Sequence, residues 1–156
     1  MCKRMTLSTG SNYKVCCTPR HRWRQCSSHC LQILTARLLL FLCHFDEFRE
    51  RLATQSNVKI LVEALDCTND PHLLCYVLQA VALLALKPAT HDLLRTMQIE
   101  EALIQLLLPS DEWFYTPHST GWAAYVKHHA ARILVYVGLG ERVGNRVNIF
   151  QFPGFY

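Results

Sequence analysis

Six apolar positions of this chain return after a fixed interval. Leu42, Phe45, Leu52, Val58, Val62 and Leu65 are answered by Leu83, Leu86, Leu93, Ile99, Leu103 and Leu106, each pair 41 positions apart. Within each set the apolar residues keep helical spacing. A period of roughly 40–47 residues with helical spacing inside it marks a stack of helical units rather than a closed globule. Each unit of such a stack buries its apolar face against the next, so one continuous apolar seam is expected along the stack.

The chain is long enough for one domain with a core of its own, and 51% of its 156 residues are hydrophobic against 18% charged. The net charge of +4 is unevenly divided. Six of the sixteen basic residues (Lys3, Arg4, Lys14, Arg20, Arg22 and Arg24) and no acid lie before Leu31, leaving ten bases against twelve acids in residues 31–156. The body is nearly neutral and lacks a general nucleic-acid footprint. The apolar runs Leu38–Cys43 and Val77–Leu86, the latter broken only by Gln79, fall short of the ~20 residues that cross a bilayer. Met1–Met5 is followed by polar residues, so no signal peptide is expected. The eight cysteines read as free thiols in a reducing, intracellular and chiefly cytoplasmic setting, because Cys43, Cys67 and Cys75 sit in or beside apolar helical patterns.

Three segments follow from the pattern. Residues 1–30 read as an irregular, basic, Cys-rich leader, with Gly10 and Pro19 and few large aliphatics. Residues 31–140 read as the repeat body. In it Leu31, Leu34, Leu38, Phe41, Leu42 and Phe45 share one stripe of a first long helix. A short helix over Asp46–Gln55 follows, then a third piece over Val58–Leu65, whose dense aliphatics place it between neighbours. Asp70-Pro71 caps and starts the next long helix, to Leu86. Thr90 is positioned to cap a short helix through Leu93, Leu94 and Met97, and Glu100–Leu108 follows. The third unit opens at Tyr125; matching Ala80, Leu83 and Leu86 to Ala131, Leu134 and Val137 needs a step of 51 and makes Pro109–Ala123 a loop insertion. Residues 141–156 form an irregular aromatic tail, which suggests a shortened form of a longer protein.

These residues resemble the armadillo superfamily, whose units of one short and two longer helices stack into a right-handed superhelix. The resemblance covers about Leu31–Leu139 and rests on the Ala-Leu rich third helices, here Ala80–Leu86 and Ala130–Val137. It implies an all-α, right-handed α-solenoid of two to three repeats with a concave groove for protein or peptide partners. The family's peptide-binding members carry an Asn ladder with Trp four residues earlier. This chain has His44, Ala85 and Tyr136 at the Asn positions, and Leu40, Val81 and Arg132 at the Trp positions. Nuclear-signal carriage is therefore not implied, and a general protein-binding scaffold is.

The candidate contact residues are those of the insertion and of the one basic cluster in the body. Trp113, Tyr115 and Trp122 offer aromatic anchors beside Asp111 and Glu112, or else Trp113 and Phe114 fold down to cover the preceding helices and Ser110-Asp111-Glu112 is only a helix start. Lys127, His128 and Arg132, with Tyr136, offer a face for an acidic peptide, or else a solvated surface. His128 and His129 diverge by about 100° on a helix and do not share one ion. Cys16, Cys17, Cys26, His29 and Cys30 imitate a zinc site, but the adjacent thiols are ill spaced. The basic leader leaves mitochondrial targeting, a nuclear or nucleic-acid contact, and disorder open. Phosphate loop and nucleophile elbow are both missing, and Cys43 and His44 point apart. No catalysis, cofactor or resident metal is expected. The function expected is that of a non-catalytic scaffold, or alternatively a truncated regulatory domain of a larger protein or enzyme.

Overall fold

The computed structural model describes residues 21–108 and 117–139, with side-chain surroundings for 28–108 and 121–139. The expectations placed on residues 1–20, on Asp111, Glu112, Trp113 and Tyr115, and on the tail lie outside these residues. Among the described residues the chain is all-helical: α1 (His21–Leu42), α2 (Asp46–Leu52), α3 (Gln55–Glu63), α4 (Pro71–Ala85), α5 (His91–Thr96), α6 (Ile99–Leu107) and α7 (Pro117–Tyr136), with a 3-10 turn at Pro88–Thr90 before α5.

Two expected boundaries move. The leader is not irregular throughout: α1 begins at His21. No Gly or Pro stands between Arg20 and Asp70, so nothing in the backbone stops a helix from extending back from the apolar stripe. The insertion likewise ends early. Pro117 opens α7, consistent with the fixed φ of proline suiting a first helical turn, so Gly121, Trp122 and Ala123 are helical rather than loop.

The ends of the helices are explained by where their freed backbone groups go. At the close of α1, Arg49 Nη1 donates to the Cys43 carbonyl at 2.8 Å while Nη2 pairs with Asp46. The Thr54 hydroxyl accepts from the Asn57 amide at the start of α3. Asp70 caps α4 by accepting from the His72 amide at 2.7 Å, as Asp-Pro predicts. Thr90 departs from expectation, since it makes no side-chain cap for α5. Its hydroxyl points back and donates to the Leu84 and Lys87 carbonyls at 2.7 and 2.8 Å, which closes the end of α4. α7 ends in a Schellman turn: the Leu139 amide donates to the Leu134 carbonyl and the Gly138 amide to that of Val135, with Gly138 at φ +74°.

α4 is the central element, packed against α7 on one side and α1 on the other, while α6 packs on α7. Its Leu74, Leu78 and Val81 are fully buried, as are Val126, Ala130, Ile133 and Leu134 of α7 and Ile99 and Leu103 of α6. The alanines of α4 and α7 let the two backbones approach closely, and the larger side chains interlock around them.

Burial follows the 41-residue echo at five of the six pairs. Val58 and Ile99 are buried, as are Leu65 and Leu106; Leu42 and Leu83 are half-buried, as are Leu52 and Leu93; Phe45 and Leu86 are both exposed. Val62 and Leu103 differ, half-buried against buried. Two expectations about faces fail. α3 is not enclosed on all sides, because Ile60 is 63% exposed while Val58 and Leu61 are buried. The α1 stripe also does not enter the core: Leu31, Leu34, Leu38, Phe41 and Phe45 face solvent, each more than half exposed, and it is Ala36 and Cys43 on the opposite side that are buried. The residues on the inner side are smaller, and α4 is packed close to them.

Candidate partner-binding groove

The C-terminal half of α1, the outer face of α4 and the middle of α7 border a shallow hollow of about 110 Å³. Its floor is apolar, from Leu40, Ala82, Leu83 and Leu86, and its rim carries His44, Gln79, His129 and Arg132. The three segments are the long helices of successive units in the sequence pattern. A second hollow of about 260 Å³ lies between the end of α3 and α6, walled by Val62, Leu65 and Ala102 with Glu63 and Asp66 beside them.

Two rim residues are chemically constrained. Arg132 donates to the Tyr136 hydroxyl through Nη2 at 2.8 Å and through Nε at 3.2 Å, and its guanidinium also lies 5.3 Å from the centre of the Tyr136 ring. The planar head is thereby held in one orientation. Burial pushes His129 down to about 4, helped by the neighbouring His128 and Arg132, so the ring is neutral at pH 7. Its Nδ1 is buried without a hydrogen-bond partner, an uncommon state for a buried polar atom.

Of the predicted contact residues, the structure brings Arg132 and Tyr136 together, and Arg132 lines the groove. Lys127 and His128 are half-buried on the same helix, and His128 meets His129 edge to face at 5.2 Å. Trp122 is placed elsewhere. Its ring stacks on His72 of α4 at 4.0 Å, with Tyr76 at 6.2 Å and Tyr125 at 6.1 Å, and His72 Nε2 shares a hydrogen bond with the Tyr76 hydroxyl at 3.1 Å. Trp122 thus joins α7 to α4. Spacing within α4 hints at the partnership, because His72 and Tyr76 stand one turn apart, but nothing local pairs them with Trp122. Gln79 was not singled out by sequence; Leu40 entered only as an aligned Trp position, and His129 only as the neighbour of His128 in the basic cluster.

Among the described residues no group of three or more His, Cys, Asp or Glu is arranged to hold a metal. His29 lies 3.7 Å from Asp70, and among the described residues Cys30, Cys43 and Cys75 are free thiols. Burial raises the Cys43 thiol to about 11, partly offset by Arg49, and burial raises Cys75 as well; neither is a ready nucleophile. Among the described residues no single helix is long and apolar enough to cross a membrane. Compared with protein-family models, with curated proteins and with solved structures, the chain finds no match.

Proposed function

We propose that this chain is a non-catalytic protein-interaction scaffold built from armadillo-like helical units, holding an extended segment of a partner along the α1–α4–α7 groove. The observation that carries the reading is the groove itself, where equivalent helices of the echo line up around an apolar floor with a fixed guanidinium and a neutral imidazole at its rim. Five echo pairs of matching burial support a stacked arrangement of two to three units, and the right-handed sense is what the family resemblance implies. The Arg132 charge beside the apolar floor favours a segment with apolar side chains and a carboxylate to offer. The free thiols of Cys43 and Cys75, among the described residues, support a reducing, intracellular setting.

The test is to pan a phage-displayed library of random peptides on the whole chain. Enriched peptides are expected to combine apolar and acidic residues, and to bind Leu83→Ser and Arg132→Ala at least fivefold more weakly, about 1 kcal/mol. Enriched peptides that bind both variants as well as the parent, or no enrichment at all, would overturn the groove.

A further inference from the structure

α1 is apolar on two opposite sides, and only one of them is covered. Ala36 and Cys43 are buried, and the substantial neighbour of α1 among the described residues is α4. On the far side Leu31, Leu34, Leu38 and Phe41 are 57–64% exposed, and the patch continues into Phe45, whose ring meets Phe41 edge to face at 5.7 Å. Five large side chains so exposed present on the order of 500 Å², at the upper end of what monomers leave open. A helix hydrophobic all round is one that expects neighbours all round.

The spacing says what kind of neighbour. Within α1 the exposed residues Leu31, Leu34, Leu38 and Phe41 follow one another by three, four and three positions, the alternation that keeps a seam in line with a second helix and seats each side chain in a hole of that helix. The charge along the seam says which. Arg37 and His44, seven residues apart, flank the same edge and are exposed. No ion pair or side-chain hydrogen bond engages either among the described residues, and the whole of α1 contains no acid. A second copy of α1 therefore brings no carboxylate to them, and an antiparallel two-fold pairing sets Arg37 against Arg37.

We infer that the outer face of α1 is a docking surface for an amphipathic helix of another protein, one with large aliphatic residues at alternating three- and four-residue spacing and Asp or Glu along the edge that meets Arg37 and His44. The inference stands apart from the groove, with which it shares only His44.

The probe is a fluorescein-labelled synthetic helix of three heptads, with Leu on the seam and Glu on both flanks so that it does not pair with itself. Fluorescence anisotropy with the whole chain is expected to show saturable binding. Leu38→Asp should abolish it with unchanged helicity and melting, since the residue faces solvent. Arg37→Glu should weaken the Glu-flanked probe about fivefold and strengthen a Lys-flanked one by a similar factor. Failure to bind, or equal binding by Leu38→Asp, overturns the inference. So does a charge swap that leaves both probes unchanged. Sedimentation that shows a dimer dissolved by Leu38→Asp and untouched by the probe assigns the face to a second copy. Flotation with phosphatidylcholine–phosphatidylserine vesicles, abolished by Leu38→Asp and not competed by the probe, assigns it to lipid; either result also overturns it.

Discussion

At the scale of single residues, the polar groups that matter are those whose partners are backbone. Thr90 is a buried polar residue, 7% exposed, and its hydroxyl serves two carbonyls at the end of α4. Thr90→Val keeps the shape and removes the hydroxyl bond from both carbonyls, which retain their backbone donors (the Thr90 amide for Lys87, the Lys87 amide for Leu84), so unfolding in urea should show a loss of about 1 kcal/mol. His129 makes stability depend on pH. Its folded value of about 4 lies below the 6.5 of a free imidazole, so the unfolded chain takes up the proton first as pH falls. The stabilisation is complete above pH 6.5 and declines through the window down to about 4, by on the order of 1–2 kcal/mol once the ring's partial exposure is discounted. Across that window urea midpoints should fall for the parent more than for His129→Gln, the difference between the two curves changing by that amount; parallel curves would remove His129 as the cause. The sequence marked Thr90 as polar at a helix junction but assigned its hydroxyl forward, to α5. Which carbonyl lies nearest is settled by the turn at Pro88, a matter of chain direction that residue identity does not encode.

At the scale of elements, the same substitution has opposite consequences according to the face it strikes. Leu78 of α4 is fully buried and Leu34 of α1 is 59% exposed. Leu78→Ala should destabilise by about 2–5 kcal/mol, whereas Leu34→Ala should fall within about 0.5 kcal/mol of the parent. Two glycines of α7 and its cap make a second contrast. A methyl group on Gly121 meets nothing within 4 Å, while one on Gly138 stands 3.2 Å from Arg95 Nη2 at a φ of +74°. Arg95 Nη2 also donates to the Val137 carbonyl at 2.5 Å, so crowding at Gly138 strikes the cap of α7. Gly138→Ala should cost about 1–2 kcal/mol and Gly121→Ala should add about 0.5–1 kcal/mol, read by thermal melting. Helix positions were legible because Asp70-Pro71, Lys87-Pro88 and the three-and-four spacing act within a few residues. The start of α7 was not legible, because Pro117 reads equally as a loop breaker and as a first helical residue.

At the scale of the whole molecule, stability should be graded from the centre outward. α4 lies between α1 and α7 and carries ten buried residues, while α2 has none. Amide hydrogen exchange should be slowest in α4 and the second half of α7, approaching the rate set by global unfolding, and fastest in α2. Equal protection of α2 and α4 would contradict this arrangement. Among the described residues the same layering leaves one long helix, α1, with an uncovered apolar side.

The sequence by itself determined that the chain is helical, where α4 begins and ends, and that residues 41 positions apart have similar surroundings. Each of these rests on backbone propensity, capping or periodicity, which are local properties. Only the tertiary structure decided which side of α1 meets α4, that Trp122 stacks on His72 instead of reaching outward from a loop, and that His129 loses its proton affinity to burial. Spacing establishes that side chains share a face. What lies opposite that face depends on helices tens of residues away, and no local rule supplies it.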